Sequence, residues 1–70
     1  MKLTKVNSSM VYAIGYDKKS QILEVVYLSG KIWRYEEIPK EIYKELIESK
    51  SIGSYMRSCI IDCYPSYPVR

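Results

Sequence analysis

Apolar and polar positions alternate most cleanly between Ile22 and Tyr35. Ile22-Leu23-Glu24-Val25-Val26-Tyr27 and Lys31-Ile32-Trp33-Arg34-Tyr35 flank Leu28-Ser29-Gly30, which reads as strand, turn, strand. A two-residue loop at Ser29-Gly30 would pair Glu24 with Tyr35 and mix a carboxylate among aromatics. A three-residue loop over Leu28-Ser29-Gly30, with Gly30 left-handed at a bulge, instead pairs Val25 with Trp33 and Leu23 with Tyr35. Leu23, Val25, Tyr27, Trp33 and Tyr35 then share one face. A one-residue slip inverts every side chain, so the three-residue loop is the expected one. The opposite face carries Glu24, Val26, Ile32 and Arg34. It is only half polar, which calls for a second cover: the C-terminal tail or another copy of the chain.

Ahead of this hairpin, Met10 to Tyr16 reads as a first strand, with Gly15 marking a bulge or a close backbone approach. Asn7-Ser8-Ser9 reads as a turn, and residues 17–21 as a polar hairpin loop. Behind it, Ile38, Ile42, Tyr43, Leu46 and Ile47 form a helical stripe, and Pro39 suits the first helical position. Ser51 then caps a second helix from Ile52 to about Cys63, with Ile52, Tyr55, Met56, Cys59, Ile60 and Cys63 on its apolar side. Tyr64-Pro65 stops it. The order predicts an α+β fold: a three-stranded antiparallel β-meander followed by two short helices packed on one sheet face. Residues 1–70 make a single domain, with residues 1–5 and 66–70 as extended ends.

Composition changes the picture in two ways. Eight Tyr, one Trp and no Phe imply rings at the core edge with their hydroxyls reaching polar partners. The net charge of +3 is modest, but residues 1–34 hold six basic against two acidic groups, so an anionic partner should meet the first half. No apolar run reaches the roughly 20 residues of a membrane span, and no secretory leader pattern is visible. The expectation is a cytoplasmic protein with no membrane partner, its two cysteines reduced.

With no His in the chain, Ser-His, Cys-His and most zinc schemes are excluded. No metal site or cofactor is expected. Cys59 and Cys63 read as small hydrophobes on the second helix, with a redox pair as the alternative. The carboxylates of the first helix alternate with Lys40 and Lys44, the pattern of a solvated face rather than a catalytic cleft. An enzyme is not expected. Trp33-Arg34-Tyr35 carries more chemistry, since aromatics and cations on a sheet bind single strands by stacking and phosphate contact. Packing of the same aromatics against the helices is the competing reading.

In sequence order, Val6-Asn7-Ser8-Ser9, Gly15-Tyr16-Asp17, Leu23-x-Val25-x-Tyr27, Gly30 and Trp33-Arg34-Tyr35 form a recognisable set. It continues through Ile38-Pro39, Ser51-x-Gly53-x-Tyr55, Ile60 and Tyr64-Pro65. This set resembles the KTSC domain, a module found at the C-terminus of some lysyl-tRNA synthetases and as stand-alone bacterial proteins. The resemblance implies RNA binding by association with that synthetase. The chain departs from the family at Met56-Arg57, where Phe then Asn is usual, and at Ile61-Asp62-Cys63, where basic residues are usual.

Three functional expectations follow. The first is a non-enzymatic RNA or nucleic-acid binding module, with Lys18, Lys19, Lys31 and Arg34 on phosphates and Trp33 and Tyr35 stacking bases. The second is a self-associating interaction module, a homo-oligomer that uses Val26, Ile32 and Ile61. The third is a binder of a small anion such as a nucleotide.

Overall fold

The computed structural model describes residues 1–69. Five strands run in an antiparallel meander, β1 (Leu3–Lys5), β2 (Val11–Asp17), β3 (Ile22–Tyr27), β4 (Ile32–Tyr35) and β5 (Ser66–Val69), adjacent in the sheet in chain order. Between β4 and β5 come α1 (Lys40–Glu48), α2 (Ile52–Tyr55) and a π-helical segment (Met56–Ile60). The α+β class, with helical segments packed against one face of an antiparallel sheet, is as expected. The strand count is not: the sheet has five strands rather than three, because both chain ends join it as edge strands.

The β3–β4 hairpin adopts the expected register. Val25 pairs with Trp33 and Leu23 with Tyr35, closed by Tyr27 N–H donating to the Lys31 carbonyl at 2.8 Å. Gly30 sits at φ 93°, a region costly to any residue with a Cβ. Directly opposed residues of antiparallel strands share a face. One face therefore carries Ile14, Tyr16, Leu23, Val25, Trp33 and Tyr35, and packs on the helices. The core joins Val11, Ile14, Leu23, Val25 and Tyr35 of the sheet to Ile38, Leu46, Ile52, Met56 and Ile60.

The other face carries Leu3, Ala13, Gly15, Glu24, Val26, Ile32, Arg34, Tyr67 and Val69. The tail does not cover it, contrary to one expectation. The tail instead extends the sheet alongside β4, with Tyr67 opposite Arg34 and Val69 opposite Ile32. Gly15 does mark a close approach. A Cβ there would lie 2.9 Å from the Lys2 carbonyl oxygen and 2.9 Å from Leu3 Cδ2. The irregularity in β2 lies elsewhere, between Val11 and Ala13.

The helices differ from expectation in detail. Pro39 is the cap of α1, one position ahead of the first helical residue, and its carbonyl accepts from Ile42 and Tyr43 N–H. Ile47 is exposed; Leu46 is the buried side chain of α1, Ile42 and Tyr43 pack against the core, and Ile38 ahead of the helix is buried in it. Ser51 caps α2 as expected, accepting from Ser54 N–H at 3.3 Å. The continuation is not α-helical to Cys63. After Tyr55 the turn widens, Ile61 N–H donates five residues back to the Met56 carbonyl at 2.7 Å, and the helix ends at Ile60. Cys63 is therefore exposed beyond the helix and does not share a stripe with half-buried Cys59. Ser8 is a turn-former: its Oγ accepts from both Met10 and Val11 N–H at 3.1 Å.

Candidate functional site

Three separate stretches meet at the β3–β4 turn end of the helical face. The wide hairpin loop holds Tyr27, Ser29 and Lys31 around one side. β4 contributes Trp33 and Tyr35, and β5 contributes Ser66, which pairs with Tyr35. The chain leaving the π-helical segment contributes Ile61 and Asp62. Together they enclose an open cavity of about 320 Å³, of the size that takes small ligands. A second depression of about 410 Å³ adjoins it, lined by Gly30, Lys31, Ile32, Trp33, Pro68 and Val69. Trp33 and Lys31 border both.

Each wall has a local cause. Tyr27 and Tyr35 lie on one sheet face near β3–β4, and their hydroxyls meet at 2.5 Å. Burial pushes the Tyr27 hydroxyl well above its ordinary value, and its hydrogen bond with Tyr35 adds to the shift. Burial also raises Tyr35; the bond from Tyr27 opposes this, and the nearby Asp62 carboxylate adds to it. Both hydroxyls are therefore protonated at neutral pH. Asp62 occupies the left-handed region at φ 65°, where Asp is among the residues best tolerated, and so reverses the chain beside the cavity. Trp33 is half-buried, opposite Pro68 across the β4–β5 pairing.

The expected phosphate ligands do not form one patch. Lys31 lines the cavity. Lys18 and Lys19 lie in the β2–β3 turn at the other end of the six-residue β3, about 20 Å away at strand rise. Lys19 N–H caps the turn by donating to Asp17 Oδ1 at 3.0 Å. Arg34 lies on the opposite sheet face, where its Nε donates to Glu24 Oε1 at 2.7 Å. That bond, with one to Tyr67, raises the guanidinium pKa. Tyr35 is 3% exposed, which leaves Trp33 as the aromatic face available for stacking.

The expected interface residues are divided as well. Val26 and Ile32 are paired on the open face and half-buried. Ile61 is on the other side of the sheet, packed on the core and lining the cavity. Tyr27, Ser29, Asp62 and Ser66 were not singled out as site residues by the sequence pattern. Their one legible signal was Tyr27 on the face shared with Trp33 and Tyr35.

Among the described residues no cluster of His, Cys, Asp and Glu could hold a metal ion, and no helix is long and apolar enough to cross a membrane.

The comparison with known families decides the identity. The KTSC domain model matches residues 7–64. The chain belongs to the KTSC domain family. An uncharacterized protein of Stutzerimonas stutzeri is 42% identical over 55 residues, covering 79% of this chain and 78% of its own. A protein of Tsukamurella paurometabola is 33% identical over 55 residues, covering 79% and 82%. A crystal structure of a KTSC domain protein from Yersinia pestis superposes with a TM-score of 0.96 at 20% identity, covering 99% of this chain and 97% of that one. The fold is thus shared with that protein over nearly its whole length at low identity. The matched region ends at residue 64, so Ser66 borders the cavity from outside it.

Proposed function

We propose that this KTSC domain is a non-enzymatic binding module for single-stranded RNA, and that it holds one unstacked base in the cavity beside Trp33. The observation that carries the reading is the composition of that cavity. A half-buried indole provides a surface for a planar ring, two protonated tyrosine hydroxyls border the same cavity, and Lys31 in its lining is placed to meet a phosphate. Base stacking on an aromatic residue is worth about 1–3 kcal/mol, enough to hold one nucleotide weakly and a longer strand by adding phosphate contacts. Arg34 takes no part, since its charge is committed to Glu24 on the far face. Lys18 and Lys19 add affinity only for strands long enough to reach the opposite end of the sheet.

Trp33 is the sole tryptophan, so its fluorescence reports on the site directly. Titration with single-stranded oligonucleotides should quench it saturably. Lys31→Ala should weaken a trinucleotide severalfold and lower the slope of log affinity against log salt by about 0.7, the value of one single-strand phosphate contact. Lys18→Ala should leave the trinucleotide unaffected. An affinity indifferent to salt and to Lys31 would sink the proposal.

A second reading rests on a different observation. The open sheet face carries Leu3, Ala13, Val26, Ile32 and Val69 beside Lys5, Tyr67 and the Glu24–Arg34 pair, a partly apolar strip of the kind that mediates contact between chains. Self-association through Val26 and Ile32 is compatible with RNA binding, because the cavity opens on the other side of the sheet.

A further inference from the structure

The cavity holds polar groups that stacking alone does not use: a carboxylate and a hydrogen-bonded pair of tyrosine hydroxyls. We infer that the site is selective for guanine, a deepening that rests on the RNA reading. Asp62 lines the cavity with its carboxylate, whose two oxygens can accept hydrogen bonds. Among the described residues no cation pairs with it. Asp62 and the tyrosine pair line the same cavity. Tyr27 and Tyr35 share a single hydrogen bond at 2.5 Å. One hydroxyl donates to the other, and the second keeps its own proton free to donate. The cavity therefore presents a hydroxyl donor next to a two-oxygen acceptor.

The four bases differ on the edge that meets this array. Guanine shows the O6 acceptor followed by two adjacent donors, N1–H and N2–H. The hydroxyl donates to O6, and the two Asp62 oxygens accept from N1–H and N2–H. Adenine and cytosine each offer one exocyclic donor beside a ring acceptor, which would face the carboxylate lone pairs. Uracil offers a single donor between two carbonyl acceptors, so one carbonyl accepts from the hydroxyl while the other would face a carboxylate oxygen. A site whose polar groups stay unpaired with the wrong base rejects it more strongly than one that merely fits poorly. Lys31 at the mouth remains available for the phosphate on whichever base is bound.

The test uses the full chain and the homotrinucleotides of guanosine, adenosine, cytidine and uridine, read by Trp33 quenching. The expected result is guanosine binding about tenfold tighter than the others, the scale of one bidentate contact. Asp62→Asn keeps a residue that tolerates the left-handed conformation, so the turn is retained. Its amide replaces one acceptor with a donor, and the guanosine preference should shrink about tenfold while affinity for uridine is kept or rises. Circular dichroism and the thermal midpoint confirm that the variant is folded. Equal binding of all four sequences, or an Asp62→Asn effect equal on all four, overturns the guanine assignment and leaves the RNA reading standing. Absence of binding to every trinucleotide overturns both.

Discussion

The Tyr27–Tyr35 pair shows how one residue couples the core to the site. The two hydroxyls share one hydrogen bond at the edge of the cavity, between the sheet and the Ile61–Asp62 turn. Tyr27→Phe would leave the Tyr35 hydroxyl with no protein partner in a buried position, a cost of about 1–2 kcal/mol at neutral pH. The pair also fixes the sign of a pH dependence. In the unfolded chain a tyrosine ionises near 10.0, and in the folded protein Tyr27 and Tyr35 ionise above it. The neutral form is the one the fold favours, so its contribution is fully present below pH 10 and is lost as pH rises through the folded values. Stability should fall from about pH 10 upward, and Tyr27→Phe should fall less steeply over that range. Urea midpoints at neutral and alkaline pH check this, and an unchanged slope in the variant would refute it. At this scale the sequence was most informative where backbone conformation is restrictive. Gly30 was legible because a three-residue hairpin loop needs a left-handed residue, and Gly15 because a Cβ meets the first strand. Asp62 was not legible, since nothing local marks an aspartate that will sit at φ 65°.

Among the elements, the central hairpin was fully readable because both its strands alternate and only one register keeps Glu24 away from the aromatics. The edge strands were not. β1 is three exposed residues, too short to show a period. β5 contains Pro68, which argues against a strand within a sheet. β5 tolerates it because it is an edge with a free side. The π-helical segment was hidden for a different reason. An i, i+4 apolar stripe fits an α-helix, and Ile52, Met56 and Ile60 keep that spacing through the widened turn. Only the exit of the chain changes, carrying Ile61 toward the cavity and Cys63 to the surface. A prediction belongs here. Ending the chain at Pro65 removes four cross-strand pairs, so it should cost about 2 kcal/mol and lower the thermal midpoint. It also bares the β4 edge, and the truncated protein should aggregate more readily than the full chain, as light scattering on heating would show. A truncated chain as stable and soluble as the parent would mean that β5 is only loosely held.

For the molecule as a whole, the sheet separates two surfaces that the sequence presented as one strand pattern. Alternation correctly put Trp33 and Tyr35 on one side and Val26, Ile32 and Arg34 on the other. It could not show that a cavity would form, because its walls come from residues 27–35, 61–62 and 66, brought together only by the path of the helices and the return of the tail. The separation has a consequence that can be measured. If the open face mediates self-association, sedimentation velocity should detect a species larger than the monomer at micromolar concentration. Val26→Glu should shift it toward monomer, because a carboxylate in a closed contact with Ile32 and its neighbours loses hydration without gaining a partner. In the monomer the same substitution is tolerated, since Val26 is on the uncovered face and Glu24 already stands two positions away on it. The variant should therefore remain folded, with the Trp33 emission of the parent. It should also bind RNA with unchanged affinity, since Trp33 and Lys31 line a cavity on the other side. A monomeric parent protein would dismiss self-association without touching the cavity. A Val26→Glu variant that lost RNA binding while remaining folded would instead show that the two faces act together, with the dimer presenting two cavities to one strand.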